Sequence, residues 1–173
     1  MTEKFMAILN SIGTYPPNFV TDFSIYRNCY AHALNCMFED RDYSVYSPGA
    51  ICATFNDSDV MKDSTDGSYY FRDDLFIKLI KRDCSVLSIK ADCCNFDSKI
   101  EENAYKIALT YSKAENDFHF IRQNADGLWS HKPGFGNIHH IIKSQLIPYH
   151  GESHIEVYGA PYRVVEIMKL QKF

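Results

Sequence analysis

The first feature that could carry chemistry is a cysteine in the segment Asn28-Cys29-Tyr30-Ala31-His32-Ala33-Leu34. Cys29 falls in the first turn of the helix that this segment predicts, where unpaired backbone N–H groups and the positive end of the helix dipole favour a thiolate. The same N–H groups could hold the oxyanion that forms when a carbonyl is attacked. Cys29 is therefore a candidate nucleophile. The competing interpretation is a core cysteine, because free cysteines on apolar helix faces are usually buried.

The second feature is a histidine on a predicted strand. His119 lies between Phe118 and Phe120 in the strand Asp117–Gln123, so its side chain points to the face opposite the two rings. The turn Asn124-Ala125-Asp126-Gly127 leads into a second strand, Leu128–Lys132. If Gly127 is left-handed and Asn124 pairs with Leu128, one face of the hairpin carries His119, Ile121, Trp129 and His131.

His119 on this face is a candidate general base. Such a base needs a partner on its far ring nitrogen, because that bond fixes its tautomer and orientation. His131 is the first candidate partner of His119, Asp126 and Asn137 are alternatives, and Trp129 would provide an apolar shield. The competing interpretation of His119 is a sheet histidine bonded to a backbone group. Cysteine on an early helix with histidine on a later strand is the order of cysteine hydrolases, which favours catalysis.

The elements that must position these residues change type along the chain. Helices are predicted at Asn28–Phe38 and Asp73–Lys81, separated by a turn at Ser47–Ala50 and a polar loop at Asn56–Ser68. Besides the hairpin, strands are predicted at Ser85–Ile89, Lys106–Tyr111 and Tyr162–Leu170. Early helices and a late antiparallel sheet predict an α+β fold. No linker or repeat divides the 173 residues, which predicts one domain over residues 1–173.

Composition narrows the partners and the compartment. The net charge is −4 and the 18 lysines and arginines are scattered, which argues against a nucleic acid partner. No segment reaches the roughly 20 apolar residues of a membrane helix. The N-terminus lacks the pattern of a secretory signal, so we expect a cytoplasmic protein away from membranes, with its six cysteines as reduced thiols.

Other side chains that could bind a metal lack the spacing that a metal site needs. Cys93 and Cys94 are adjacent, and the histidines from His139 to His154 form no His-Glu-x-x-His pattern. The aspartates between Asp57 and Asp66 do not have the spacing of an EF-hand loop. We therefore expect no metal and no cofactor.

The segments around Cys29 and His119 resemble the papain-like cysteine hydrolases. More narrowly, they resemble bacterial and phage proteins with an Asn-Cys-Tyr-Ala-x-Ala-Leu segment and a His-x-x-Arg-Gln strand that runs into Trp-Ser-His-Lys-Pro-Gly. The match covers Asn28–Leu34, loosely Ser47–Ala50, and Asp117–Gly134. The resemblance implies a papain-like fold, in which a helix carrying the nucleophile Cys29 packs on a sheet carrying the base His119. It also implies a thioester intermediate and an oxyanion hole that Asn28 helps to line.

The chain departs from papain itself, since it lacks the Gln-Gly-x-Cys context and the Asn-Ser-Trp block that holds the third residue. The expected activity is that of a thiol-dependent hydrolase or acyl transferase acting on an amide or isopeptide bond of a protein or peptide. The alternative is a non-catalytic phage or bacterial interaction protein that binds a host protein through exposed aromatic side chains.

Overall fold

A computed structural model describes residues 6, 10, 12–13, 16–17, 28–36, 47–54, 73–134, 136–141, 154–157 and 159–173. Its helices are α1 (Cys29–Ala33), α2 (Ala50–Thr54) and α3 (Asp73–Val86). Its strands are β1 (Ile89–Cys93), β2 (Ala104–Ser112), β3 (Asp117–Gln123), β4 (Trp129–His131), β5 (His139–Ile141), β6 (His154–Val157) and β7 (Ala160–Lys172). Helices and antiparallel strands confirm the predicted α+β class. No helix among these residues is long and apolar enough to cross a membrane.

The strands form one sheet in the order β1-β7-β2-β3-β4-β5, and every pairing is antiparallel. The long strand β7 pairs with β2 along one side; along its other side it pairs first with β6 and then with β1. This arrangement brings the end of β2, the start of β3 and the start of β7 to the same end of the sheet.

Both faces of the central strands are buried, because alternate side chains of β2 and β3 enter two separate apolar clusters. On the helix face, Leu109 and Phe120 pack with the residues of α1. On the opposite face, which we call the second face, Ala108 and Ile121 pack with Trp129. Strand alternation therefore places His119, with Ile121, on the second face.

Helix α1 is fastened to β3 by an aromatic contact and a buried arginine. The ring centroids of Tyr30 and Phe120 lie 4.9 Å apart. Arg122 is fully buried, and its Nη1 donates to the backbone oxygen of His32 at 2.9 Å and to Oδ1 of Asn35 at 2.8 Å. A cation at the carbonyl end of a helix also complements the helix dipole. Arg122 thus fixes α1 on the strand that carries His119.

A buried carboxylate joins the other two helices to α1. Asp83, on α3, accepts hydrogen bonds from the Tyr30 hydroxyl at 2.7 Å, from Gly49 N at 2.7 Å and from Cys52 N at 2.8 Å. The two backbone donors lie at the start of α2, where N–H groups have no partner within the helix. Burial raises the pKa of Asp83, and the three hydrogen bonds oppose that rise. Asp83 therefore serves as a structural link between the helices.

The predicted helix Asn28–Phe38 is shorter in the structure, ending at Ala33. Asn35 adopts φ 57°, where its side chain accepts from Arg122, and Cys36 forms a β-bridge with Ile12. Contacts from distant segments thus end a helix that local periodicity would continue. Phe38 and the polar loop Asn56–Ser68 lie outside the described residues.

Other boundaries also differ from the predictions. The strand predicted at Ser85–Ile89 was wrong, since α3 continues to Val86 and β1 begins only at Ile89. The three-residue strand β5 and the four-residue strand β6 were not predicted. The predicted strands Lys106–Tyr111 and Tyr162–Leu170 are confirmed within the longer β2 and β7.

Candidate active site

The hairpin register that the sequence predicted is confirmed. Asn124 N donates to Leu128 O at 2.8 Å, and Gly127 has φ 79°. Ile121 pairs with His131, and Gln123 pairs with Trp129. The second face therefore carries His119, Ile121, Trp129 and His131, as expected from the turn chemistry. The indole of Trp129 stacks on Phe96 at 5.5 Å and helps to cover this face.

His119 and His131 form a buried hydrogen-bonded pair. Nε2 of His119 and Nδ1 of His131 are 2.9 Å apart, and the rings meet nearly edge to face at 88°. Asp126, one of the alternatives to His131, instead accepts from Leu128 N within the turn, and Asn137 is exposed. His131 is thus the residue that could hold the orientation and tautomer of His119.

Cys29 lies at the start of α1, beside the backbone of β3. Asn28 is the N-cap residue of this helix, and its Oδ1 accepts from Ala31 N at 3.0 Å. The sulfur of Cys29 receives a backbone hydrogen bond from Phe120, the residue that follows His119. Strand β4 pairs only with residues Ile121–Gln123 of β3, so Phe120 lies beyond that pairing. Cys29 therefore approaches β3 at the residue that follows His119, although Cys29 belongs to the helix-face cluster and His119 lies on the second face.

The electrostatic environment of Cys29 differs from the expectation of a thiolate at a helix start. Burial raises the pKa of the Cys29 thiol to about 12, and the negative charge of Asp117 adds to the increase. Backbone hydrogen bonds from Phe120, Tyr30 and Cys29 itself lower the pKa, but they do not offset desolvation. Cys29 is only 7% exposed. In the free protein it is a neutral thiol.

The two histidines are also neutral. Burial lowers the pKa of His119 to about 3, with a smaller contribution from His131. Burial lowers the pKa of His131 to about 4, with a smaller contribution from His139, whose ring lies 5.8 Å from that of His131. In a hydrogen bond between two neutral imidazoles, one nitrogen donates and the other accepts. The resting site thus combines a thiol with a neutral imidazole pair.

These pKa values predict that acid destabilises the fold. In the unfolded chain both histidines titrate near 6.5, so below that pH the unfolded state binds more protons than the folded state. The free energy of unfolding should therefore fall as the pH drops from 6.5 towards the folded pKa values of about 4 and about 3. The loss expected between pH 7 and pH 5 is on the order of 1–4 kcal/mol, measured by urea denaturation.

A pair of variants isolates the contribution of the buried histidines from that of other titrating groups. His131→Gln should lose roughly half of the acid effect, because one of the two depressed pKa values is removed. His140→Gln is the matched control, since His140 is an exposed histidine on β5. Equal acid sensitivity in wild type and His131→Gln would contradict the expectation.

Asp117 and Tyr162 belong to the same site, and sequence reasoning missed both. The Tyr162 hydroxyl donates to Oδ2 of Asp117 at 2.9 Å, and the Tyr162 ring lies 6.0 Å from that of His119. Burial raises the pKa of Tyr162, and the hydrogen bond to Asp117 adds to the rise. Only the pairing of β7 with β2 brings these distant segments together, so no local signal marks them.

Other polar residues of the two motifs are structural. His32 is fully buried, with its Nε2 3.1 Å from Oγ of Ser130. Oγ of Ser130 donates to Oδ1 of Asn124, which also accepts from Nε of Arg122. Within the described part of the chain, histidine, cysteine and acidic side chains form no group of three or more that could hold a metal ion.

Comparison with known proteins finds no matching family model, no matching curated protein and no matching solved structure. The class of protein is therefore defined by fold and site alone. The fold is α+β, with one antiparallel sheet packed against helices. The site combines a helix-start cysteine with a histidine pair on the adjoining strands.

Proposed function

We propose that this chain is a thiol-dependent hydrolase or acyl transferase that acts on an amide or isopeptide bond of a protein or peptide. One observation carries the proposal: the sulfur of Cys29 is bonded to the backbone N–H of Phe120, next to His119, while Nε2 of His119 is bonded to His131. This places Cys29 at the residue next to His119 in sequence, and we propose that the two act as nucleophile and base, with His131 orienting the base. The papain-like fold remains part of this proposal.

The histidine pair determines which tautomer can act as a base. If Nε2–H of His119 donates to Nδ1 of His131, then Nδ1 of His119 carries a lone pair and can accept a proton. The same hydrogen bond then stabilises the imidazolium that forms when His119 is protonated. His131 is accordingly a positioning residue rather than a proton acceptor from the substrate.

The proposed reaction has two stages, formation of a thioester on Cys29 and its breakdown. The Cys29 sulfur attacks the carbonyl carbon, its proton moves to Nδ1 of His119, and the carbonyl oxygen becomes an oxyanion near the N–H groups at the start of α1. Collapse breaks the C–N bond, and the leaving amine takes the proton from His119. Water or an acceptor amine then attacks the thioester and gives its proton to His119. The C–S bond breaks, and the proton passes from His119 to the sulfur, which restores the Cys29 thiol.

The neutral resting state distinguishes this site from one with a preformed thiolate–imidazolium pair. With a thiol pKa of about 12 and an imidazole pKa of about 3, Cys29 keeps its proton until a substrate is bound. Small alkylating reagents should therefore react slowly with Cys29. A substrate-like electrophile that places its reactive carbon at the sulfur should react faster, because proximity compensates for the low thiolate fraction.

The test compares two reagents on the native protein, with each cysteine followed by peptide mass spectrometry. Between pH 6 and pH 9, iodoacetamide should modify the exposed Cys93 faster than Cys29. A peptidyl chloromethyl ketone should show the reverse preference, with Cys29 modified first. Cys93 is the internal control for general thiol reactivity. If the peptidyl reagent shows no preference for Cys29, the proposal is wrong.

A second candidate function is a non-catalytic interaction protein. It is favoured by the burial and raised pKa of Cys29, because both are properties of a core cysteine. In that case both reagents should spare Cys29 and modify Cys93 and Cys94. Pull-down of binding partners would then be the next experiment.

A further inference from the structure

A cavity of about 550 Å³ opens beside the candidate active site. It lies between the β2–β3 turn and the β6–β7 turn, and its lining includes Glu115, Asp117, Val157, Gly159 and Tyr162. Two of these residues connect it to the reactive groups. Tyr162 touches the ring of His119, and Asp117 interacts electrostatically with Cys29. The cavity therefore borders the end of β3 that carries His119, so a side chain held in it would lie near the candidate active site.

The charge of this cavity is negative. Glu115 and Asp117 are exposed, and within the described residues neither forms an ion pair with lysine or arginine. The nearby Arg163 lies 3.7 Å from Asp73, so its charge is directed at another carboxylate. The hydrogen bond from the Tyr162 hydroxyl uses only one carboxylate oxygen of Asp117, Oδ2. Val157 and Ala160 add apolar wall, which suits the methylene stem of a long cationic side chain.

We propose that this cavity is a specificity pocket that admits a cationic side chain, such as that of lysine, from the peptide substrate. The inference rests on the proposed function, since the pocket selects substrates for the chemistry at Cys29. A cation held between Glu115 and Asp117 would orient the adjoining carbonyl towards the sulfur.

Binding of a cation would also change the state of the nucleophile. The charge of Asp117 contributes to the raised pKa of the Cys29 thiol. A lysine ammonium paired with Asp117 offsets that charge, so it lowers the cost of forming the thiolate. Substrate selection and activation of the nucleophile are thereby coupled through one carboxylate.

The test uses three peptidyl chloromethyl ketones that differ only in the side chain next to the ketone: lysine, norleucine or glutamate. In each reaction the sulfur of Cys29 forms a bond to the methylene carbon, chloride leaves, and the thiol proton passes to His119. The lysine reagent should label Cys29 about fivefold faster than the norleucine reagent, and the glutamate reagent should be slower than both. Added salt should reduce these differences.

Charge-neutral variants assign the preference to the pocket. Glu115→Gln should remove most of the lysine advantage, measured as the ratio of the lysine rate to the norleucine rate of the same variant. Glu102→Gln is the matched control, because Glu102 is an exposed acid just before β2, at the opposite end of that strand from Glu115. Equal rates for the lysine and norleucine reagents would overturn the pocket but not the proposed function.

A binding measurement separates the two proposals if no reagent labels Cys29. Amide NMR shifts of Gly159 and Asp117 are followed during titration with N-acetyl-lysine methylamide and with its norleucine analogue. If only the lysine compound shifts these signals, the cation pocket is supported although the hydrolase proposal has failed. No shift with either compound, together with no labelling, would overturn both.

Discussion

Replacing His119 by Ala is expected to slow the labelling of Cys29 by the peptidyl chloromethyl ketone about 100-fold or more, the usual contribution of a positioned general base. The reason is that the Cys29 thiol, with a pKa of about 12, needs a base to remove its proton. His119 is the histidine of β3, the strand against which Cys29 packs. The rate constant is measured by intact mass, and circular dichroism checks that the fold is retained. Cys29→Ala should abolish this labelling and leave the slower modification of Cys93.

Two further variants separate the base from its environment. His140→Ala, which removes an exposed histidine, should label at the wild-type rate. His131→Ala should give an intermediate rate and a changed pH profile, because His119 keeps its ring but loses the hydrogen bond that selects its tautomer. A wild-type rate for a folded His119→Ala protein would identify His119 as a sheet histidine without a catalytic role.

Replacing Arg122 by Met is expected to lower the free energy of unfolding by about 3–5 kcal/mol. Methionine fills similar space but donates no hydrogen bond, so it removes the bonds that Arg122 makes to His32 O and to Oδ1 of Asn35. The bond from Nε to Asn124 is lost as well. Urea denaturation gives the free energy of unfolding. Arg122→Lys should recover part of the loss, because lysine retains a donor but not the planar fork.

The control for this prediction is Arg163→Met. The guanidinium of Arg163 is about half exposed and lies 3.7 Å from Asp73, so the change should cost less than about 1 kcal/mol. Arg122→Met should also alter the reactivity of Cys29 in the folded fraction, since α1 loses the hydrogen bonds that help to hold it on β3. If Arg122→Met is as stable as Arg163→Met, the attachment of α1 does not depend on this arginine.

Local chemistry accounts for the parts of the site that the sequence predicted well. Alternation of polar and aromatic residues predicted strand β3 with its observed limits, Asp117 and Gln123. The left-handed glycine of the turn then set the register that joins His119 and His131 on one face. Both signals act within a few residues, so neither depends on the rest of the chain.

Helix ends and short strands were predicted less well, because distant contacts decide them. Helix α1 ends where Asn35 turns to accept from Arg122, and α3 extends past the predicted end so that Asp83 can bond to Gly49 and Cys52. Strand β5 is too short to show a periodic pattern and exists through its pairing with β4. Propensity is a weak guide wherever such tertiary bonds compete with it.

The sequence by itself determined the α+β class, the hairpin with its histidine pair, and the position of Cys29 at a helix start. Only the tertiary structure decided the environment of that cysteine. A helix start predicts a thiolate, but packing of α1 against β3 removes water from the sulfur, and desolvation outweighs the hydrogen bonds of the helix. Asp117 and Tyr162 joined the site for a similar reason, because β7 pairs with β2 across a long stretch of sequence. Burial and long-range pairing depend on the whole fold, and no local pattern encodes them.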